Sequence, residues 1–316
     1  MNSAVPYSKP WLSYADQISL LQSRGLIITD HALAIEHLER IGYYRLSGYL
    51  YPFRTTVKTQ TNKIEVRDQF KLGTGFGDIA ALYVFDKSLR LLLMDALERI
   101  EVALRAKFAY LLGKYDPLGY LDPAFYDSGN ASFSFPDFSQ NLYRLITKSK
   151  SECIVVNVAH YGTDLPIWIA CQAWDFGTVK WLYKGLKSQF KKEISREFNV
   201  SRPSTFESWL LSLNYLRNIC AHHGRLWNLN MICNPSFKGT SLDLKHAGIN
   251  QNRCFALICV ISYLLGIICP RSQWKSRLNK LIKDFPDLSH IQVAPYENQA
   301  SLTIQAAGFP KDWGGF

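Results

Sequence analysis

The longest apolar pattern in the chain runs from about Phe76 to Leu112, and it constrains the fold more than any other feature. Its apolar residues recur every three or four positions, which is the period of an amphipathic α-helix and not of a β-strand. The positions that mark the apolar face are Leu82, Phe85, Leu89, Leu92, Leu93, Ala96, Ile100, Ala103 and Leu104. The pattern therefore predicts one long helix with a buried side.

The same period recurs in most of the other patterned segments, so we expect an all-α fold. Further helices are predicted at about Tyr14–Arg40, Ser139–Ala159, Leu165–Lys184, Ser188–Phe198, Ser204–His223 and Asn252–Ile268. One segment differs. Within residues 55–77 the alternation of Ile64, Val66 and Phe70 predicts a small hairpin inserted among the helices.

Nothing in the sequence marks a boundary between domains. The length of 316 residues allows two domains, but no internal repeat or low-complexity linker interrupts the helical pattern. We therefore expect a single domain over residues 1–316. It includes a polar loop at 233–251 and an aromatic loop at 115–138, which holds several Phe, Tyr and Pro residues. The aromatic loop either covers the core or stacks on bases, and packing on the core is the favoured interpretation.

The charge balance suits a polyanionic partner. The chain has 36 Lys and Arg residues against 26 Asp and Glu residues, a net charge of +10. Lys180, Lys184, Lys187 and Lys191 stand at i, i+4, i+7 and i+11, so a single helix would present them as one basic stripe. The stripe is a candidate RNA-binding surface. Its plainer interpretation is a solvated helix face.

The seven cysteines form no Cys-x-x-Cys pair and lie mostly in apolar runs, which is typical of buried thiols in a reducing compartment. No charged-then-apolar signal peptide opens the chain. The apolar run from Cys254 to Cys269 is shorter than the roughly 20 residues that span a bilayer, and we interpret it as a buried core helix. These features predict a cytoplasmic protein with no membrane association, metal or other cofactor.

The stretch from Leu216 to Asn228 carries the chemistry. It joins Arg217, Asn218, His222 and His223, and such groups can bind phosphate oxygens and transfer protons near neutral pH. A capping box at Ser204 and Glu207 would start the helix and a left-handed Gly224 would end it, with both histidines in the last turn. Alternatively, arginine and histidine there merely stabilise a helix end.

The helix geometry separates the two main groups. At 100° per residue, Arg217 and His222 point about 140° apart. One helix therefore cannot easily aim both at one phosphate, and a second helix or a second subunit would complete the site.

The long predicted helix offers accessory residues. Glu101 and Arg105 are spaced for a helix-stabilising ion pair. Glu98 and Glu101 also share a face, and if that face points toward Arg217, a carboxylate there would orient the guanidinium or a histidine. The structural role is the favoured interpretation, and two glutamates without a third ligand are poor evidence for a metal site.

The motif Arg217-Asn218-x-x-x-His222 resembles the Arg-x(4–6)-His signature of the HEPN superfamily, and the wider stretch from Leu216 to Asn228 resembles its abortive-infection AbiD/AbiF-like family. Further blocks that resemble this family are residues 41–49 (IGYYRLSGY), 82–90 (LYVFDKSLR), 98–105 (ERIEVALR), 165–168 (LPIW), 176–177 (FG) and 308–313 (GFPKDW). They lie in order across nearly the whole chain.

The resemblance implies a HEPN-like helical bundle with additional helices and a small hairpin or loop insertion. It also implies a metal-independent endoribonuclease of the toxin type, active in anti-phage defence. RNA would be cleaved by its own 2′-hydroxyl, with His222 as proton donor, Arg217 neutralising the phosphorane and Asn218 orienting its neighbours. The role of His223 stays open between proton carrier and structural contact.

The resemblance implies partners as well. They are a second copy in a homodimer and an antitoxin, either a protein or a structured RNA. The alternatives are a non-catalytic RNA- or nucleotide-binding protein of the same fold, and a scaffold in which the motif only closes a helix.

Overall fold

The computed structural model describes residues 8–242, 249–297 and 299–316. Within them lie twelve α-helices and one two-stranded hairpin, so the predicted all-α fold with a small hairpin is confirmed. The helices are α1 Tyr14–Ser23, α2 His31–Ile41, α3 Tyr43–Leu50, α4 Phe76–Gly113, α5 Phe135–Lys148, α6 Glu152–Tyr161, α7 Ile167–Ala170, α8 Phe176–Gly185, α9 Ser188–Glu197, α10 Pro203–Ala221, α11 Cys254–Ile268 and α12 Trp274–Lys283. The strands are β1 Arg54–Lys58 and β2 Ile64–Phe70.

The long helix α4 matches its prediction within one residue. Buried apolar positions of its second half include Leu89, Leu93, Ala96, Ile100, Leu104 and Phe108, at steps of three or four. Two predicted face residues, Leu92 and Ala103, are only half-buried, because they lie at the border of this stripe. The apolar period was therefore a sufficient signal for this element.

Three predicted helices are each interrupted, so their predicted continuity is wrong. The segment 14–40 divides at Gly25, whose φ of +89° lies outside the helical region. Residues 139–159 divide where Ser149 and Ser151 are extended. The third break falls at Asp175, whose carboxylate accepts a hydrogen bond from the Thr178 N–H and so starts α8 afresh. Helices α3 and α12 were not predicted.

The described chain divides into two compact units. Unit 1 comprises Met1–Ser88 and Leu281–Ala306, and unit 2 comprises Leu89–Lys280 and Ala307–Phe316. The residues of α4 are therefore shared between the units. The single domain expected from the sequence stays a prediction.

In unit 1 the hairpin pairs β1 with β2 in antiparallel register, Thr56 facing Val66. Its apolar alternation is mostly exposed, since Phe70 is the buried residue of β2. The ammonium group of Lys71 is buried and lies 3.3 Å from the Glu297 carboxylate. It also donates to the carbonyl oxygens of Pro52 and Arg54, at 3.0 and 2.6 Å. A buried charge needs such partners. The cluster joins the hairpin region to the segment Leu281–Ala306 of unit 1.

In unit 2, α8 packs antiparallel on α10, with the Tyr183 ring 5.3 Å from the Phe206 ring and its hydroxyl donating to the Pro203 carbonyl. Helix α11 is buried at every position from Cys254 to Ser262, so the predicted core helix is confirmed. Among the described residues, no helix combines the length and apolarity that a membrane span requires.

The aromatic loop packs on its own protein, which confirms the favoured interpretation. Phe125 stacks on Phe190 of α9 at 4.9 Å, and the Tyr120 hydroxyl donates to the Leu165 carbonyl at 2.7 Å. The last residues of the predicted loop already belong to α5, because Ser134 caps that helix.

Two smaller predictions concern the cysteines and the polar loop. Four of the seven cysteines, Cys171, Cys220, Cys254 and Cys259, are buried as predicted. Burial raises the pKa of the Cys259 thiol to about 12, so this thiol is protonated at neutral pH. The predicted polar loop at 233–251 is described on either side of residues 243–248, which lie outside the described residues.

Candidate active site

The motif is carried by α10, which begins one residue before the predicted start. Arg202 is the N-cap and makes no side-chain capping bond, while Pro203 occupies the first turn. Proline suits this position because its missing N–H would have no partner there. The predicted capping box at Ser204 and Glu207 is therefore wrong. Glu207 instead accepts from the Lys191 ammonium at 3.1 Å.

Helix α10 ends at Ala221 in a Schellman motif. The His223 N–H donates to the Cys220 carbonyl at 3.1 Å, and the Gly224 N–H donates to the Ile219 carbonyl at 2.8 Å. The left-handed residue is His223, with φ of +60°, so the prediction that Gly224 fills this position is wrong. A Cβ at Gly224 would come within 3.1 Å of the Ile219 side chain, which gives the glycine a steric reason.

The two histidines consequently follow the helix. The prediction that they lie in its last turn is wrong. His222 is the C-cap, with φ of −87° and ψ of 11°. The side chains of Asn218, His222 and His223 are all exposed, whereas Leu216 and Cys220 are buried and anchor this end of the helix. The groups able to transfer a proton thus stand at the surface on a helix end fixed by apolar packing.

Arg217 lies on the side of α10 that meets α4. Its side chain is 34% exposed, and its Nε lies 3.9 Å from Oε2 of Glu101. The contact to Asn218 is weak, since Nη1 of Arg217 is 3.5 Å from the amide oxygen. Both contacts are long, and Glu101 is the electrostatic partner of this guanidinium because it carries the opposite charge.

Glu101 contacts both arginines considered for it, Arg105 in an ion pair along α4 and Arg217 of the motif. Its other carboxylate oxygen accepts from Arg105, one turn further along α4, so the predicted ion pair is confirmed. Glu101 is only 9% exposed, and its second carboxylate oxygen faces Arg217. Glu98 itself is exposed. A buried carboxylate between two guanidinium groups is thus part of the candidate site.

The Cys171 thiol lies close enough to Arg105 to feel its charge. Burial raises the pKa of Cys171 to about 11, although the Arg105 guanidinium acts in the opposite direction. A protonated, buried thiol is a poor nucleophile at neutral pH. Within the part of the chain that the structure describes, no group of three or more His, Cys, Asp and Glu side chains is arranged to hold a metal ion.

The predicted basic stripe does not exist as one helix face. Lys180 and Lys184 belong to α8, Lys187 caps α9 and Lys191 lies within α9. The Lys191 ammonium donates to the Lys184 carbonyl at 2.7 Å besides pairing with Glu207. The chain turns between these helices, so their spacing in sequence does not become spacing on a surface. RNA binding by the four lysines stays a prediction.

One residue of the site was missed by sequence reasoning. Arg90 of α4 is only 4% exposed, and its Nη1 donates to the Gly224 carbonyl at 3.2 Å. It stands eleven residues before Glu101, which is about three helical turns along nearly the same face. The available signal was an arginine inside the apolar pattern, between Leu89 and Leu93.

The fold and the site define an all-α protein that presents arginine, asparagine and histidine at one exposed helix end. Residues 36–228 match the family model described as Abi-like protein, which covers more than half of the chain. The chain belongs to this family, and membership suggests a role in abortive-infection defence. Comparisons with curated proteins and with solved structures gave no match.

Proposed function

We propose that this protein is a metal-independent endoribonuclease of the HEPN type, which acts as a toxin in abortive-infection defence. One observation carries the proposal. A half-exposed Arg217 is held against a buried carboxylate, and the same helix end exposes His222 five residues later. An oriented cation beside a proton donor is what phosphodiester cleavage without a metal requires.

The reaction needs only the RNA and these side chains. The 2′-oxygen attacks the adjacent phosphorus, the bond from phosphorus to the 5′-oxygen breaks, and His222 protonates the leaving oxygen. The 2′-hydroxyl proton passes to a base, for which His223 is the candidate on this chain. The products are a 2′,3′-cyclic phosphate and a 5′-hydroxyl end.

Arg217 has the electrostatic role. Negative charge builds up on the phosphorane oxygens, and a guanidinium that is already oriented stabilises it without reorganising. Removing one such fixed donor typically costs about 3 to 4 kcal/mol of barrier. Glu101 supports this role by limiting the directions in which the guanidinium points, and Asn218 orients the neighbouring groups.

The angle between Arg217 and His222 supports a dimer. Two copies that face each other through the ends of α10 would let Arg217 of one copy and His222 of the other meet at one phosphate. The net charge of +10 suits an RNA substrate and a structured RNA antitoxin, with a protein antitoxin as the other form of restraint. We place this activity in the cytoplasm, where its substrate is made.

The test is cleavage of total RNA in EDTA. Wild type should cleave, while Arg217→Ala and His222→Ala should lose at least about a hundredfold in rate. His160→Ala removes an exposed histidine of α6 and should cleave like wild type.

Two results would contradict the proposal. Activity that disappears in EDTA and returns with Mg²⁺ would refute metal independence. A wild type that binds RNA and cleaves none would favour the RNA-binding protein.

A further inference from the structure

Arg90 holds the backbone immediately after the two histidines of the motif. Its guanidinium donates to the Gly224 carbonyl at 3.2 Å, and its side chain is buried within unit 2. A charged group is seldom buried unless it is paired or hydrogen-bonded, because removing it from water costs free energy. The bonded atom is the backbone oxygen next to the left-handed His223.

This helix end needs support from outside α10. A left-handed residue other than glycine is sterically strained, and carbonyl groups near a helix C-terminus lack intrahelical partners. The two Schellman bonds satisfy the Ile219 and Cys220 carbonyls. The arginine of α4 satisfies the Gly224 carbonyl and so opposes fraying at the turn that carries His222.

Arg90 and Glu101 act on the motif from the same face of α4. Glu101 meets Arg217, and Arg90 meets Gly224, seven residues further along the chain. The order of contacts is reversed, so α4 runs antiparallel to the motif and touches it on both sides of His222. Contacts from α4 thus flank the turn that carries His222.

We propose that Arg90 is a positioning residue, which sets the location of His222 by holding the Gly224 carbonyl. The inference rests on the proposed ribonuclease activity for its effect on rate, but its structural part is independent of that activity. Arg90 does not touch the RNA. It acts through the backbone of the helix end.

The experiment compares Arg90→Lys with wild type and with Arg99→Lys. Lysine keeps the charge and much of the buried stem, but it lacks the planar fork that reaches a carbonyl from a fixed side. Arg99 lies on the same helix in a surface pair with Asp95 and serves as the matched control. The measurements are kcat, KM, melting temperature and amide hydrogen exchange.

We expect Arg90→Lys to lower kcat at least about tenfold, because small displacements of a catalytic group are costly, with KM within about twofold. Exchange of the His223 and Gly224 amides should accelerate about tenfold, while amides in the middle of α10 and the melting temperature change little. Arg99→Lys should leave all four measurements near wild type.

An unchanged kcat in an active enzyme would overturn the inference. Faster exchange along all of α10 together with a lowered melting temperature would also overturn it, because Arg90 would then only stabilise the fold. If wild type cleaves no RNA, the proposed function fails, and amide exchange alone tests whether Arg90 holds the Gly224 carbonyl. Local acceleration at His223 and Gly224 would support the contact, and its absence would refute it.

Discussion

A histidine in the left-handed region needs a structural cause, and at His223 the cause is the closure of α10. Among the described residues, the other non-glycine positions with positive φ are Asn62 and Asn199. Asparagine tolerates this region through local hydrogen bonds of its short side chain. Histidine is a costlier choice at a position that usually holds glycine. Strain of this kind clusters at functional sites, which agrees with a role for the imidazole.

Replacing His223 with glycine should therefore stabilise the protein while impairing it. We expect the free energy of unfolding to rise by about 1 kcal/mol, because glycine adopts this φ without steric cost. RNA cleavage should fall if His223 is the base. Urea unfolding followed by circular dichroism measures the first effect, and an RNA assay measures the second.

The matched control is His222→Gly. Its φ of −87° suits any residue, so glycine there should lower stability by roughly 0.5 to 1 kcal/mol. Stability of His223→Gly equal to wild type would mean that side-chain contacts of His223 offset the strain.

The residues of the site differ in how far sequence could predict them. Arg217, Asn218 and His222 form a local motif, and Glu101 could be proposed from its place on α4. The contact between Glu101 and Arg217 joins positions 116 residues apart in sequence (217 minus 101), and no local period encodes it. Arg90 was missed for the same reason, since its partner is a backbone atom on another element.

At the scale of elements, periodicity predicted the existence of helices better than their ends. Helices α4, α9 and α11 match their predictions because their apolar positions recur without interruption. Helix α4 also ends at a glycine, whereas the N-cap residues of α9 and α11 make no side-chain capping bond. Two of the breaks inside predicted helices have local causes. Ser149–Ser151 lies within the polar run 147–152, and the Asp175 carboxylate caps the start of α8.

The turn between α8 and α9 changes what the lysines are expected to do. Reversing Lys184 and Lys187 together should weaken RNA binding and flatten its logarithmic salt dependence by about 0.7 per lost phosphate contact. Lys191→Met should leave the salt dependence unchanged and lower the free energy of unfolding instead. The Lys191 ammonium is already paired with Glu207 and hydrogen-bonded to the Lys184 carbonyl.

Titration of RNA binding at several salt concentrations separates these effects. An unchanged slope in the double variant would identify the lysines as an ordinary solvated surface.

The attachment of α12 to α4 should depend on pH. Asp95 of α4 accepts hydrogen bonds from Arg99 and from Arg277 of α12. Although burial raises the pKa of Asp95, the bonds from Arg277 and Arg99 lower it below the ordinary value. A carboxyl whose pKa is lower in the folded state stabilises above its unfolded pKa, and this contribution is lost as pH falls through the folded pKa.

Asp95→Asn should therefore cost up to about 1 kcal/mol at neutral pH. The difference from wild type should shrink as the pH falls below about 4. Urea unfolding from pH 7 downward checks this expectation. A difference that stays constant over the range would show that the carboxylate charge is not responsible.

At the scale of the whole molecule, family membership and the proposed chemistry give a cellular prediction. A ribonuclease that halts translation should slow the growth of a bacterial host or reduce phage plaques when expressed. Arg217→Ala should do neither, while Arg40→Ala, which removes an exposed arginine of α2, should act like wild type. Soluble amounts of each variant must be equal. Restriction of phage by folded Arg217→Ala would show that the motif is not the source of the effect.

Unit 1 brings together residues from the two ends of the chain, and the pair of Lys71 with Glu297 ties them. During synthesis on a ribosome, the hairpin emerges more than two hundred residues before its carboxylate partner does. Until then the Lys71 ammonium cannot be buried at low cost. A nascent or prematurely terminated chain therefore lacks a finished unit 1, and only translation past Glu297 supplies the contact that completes it.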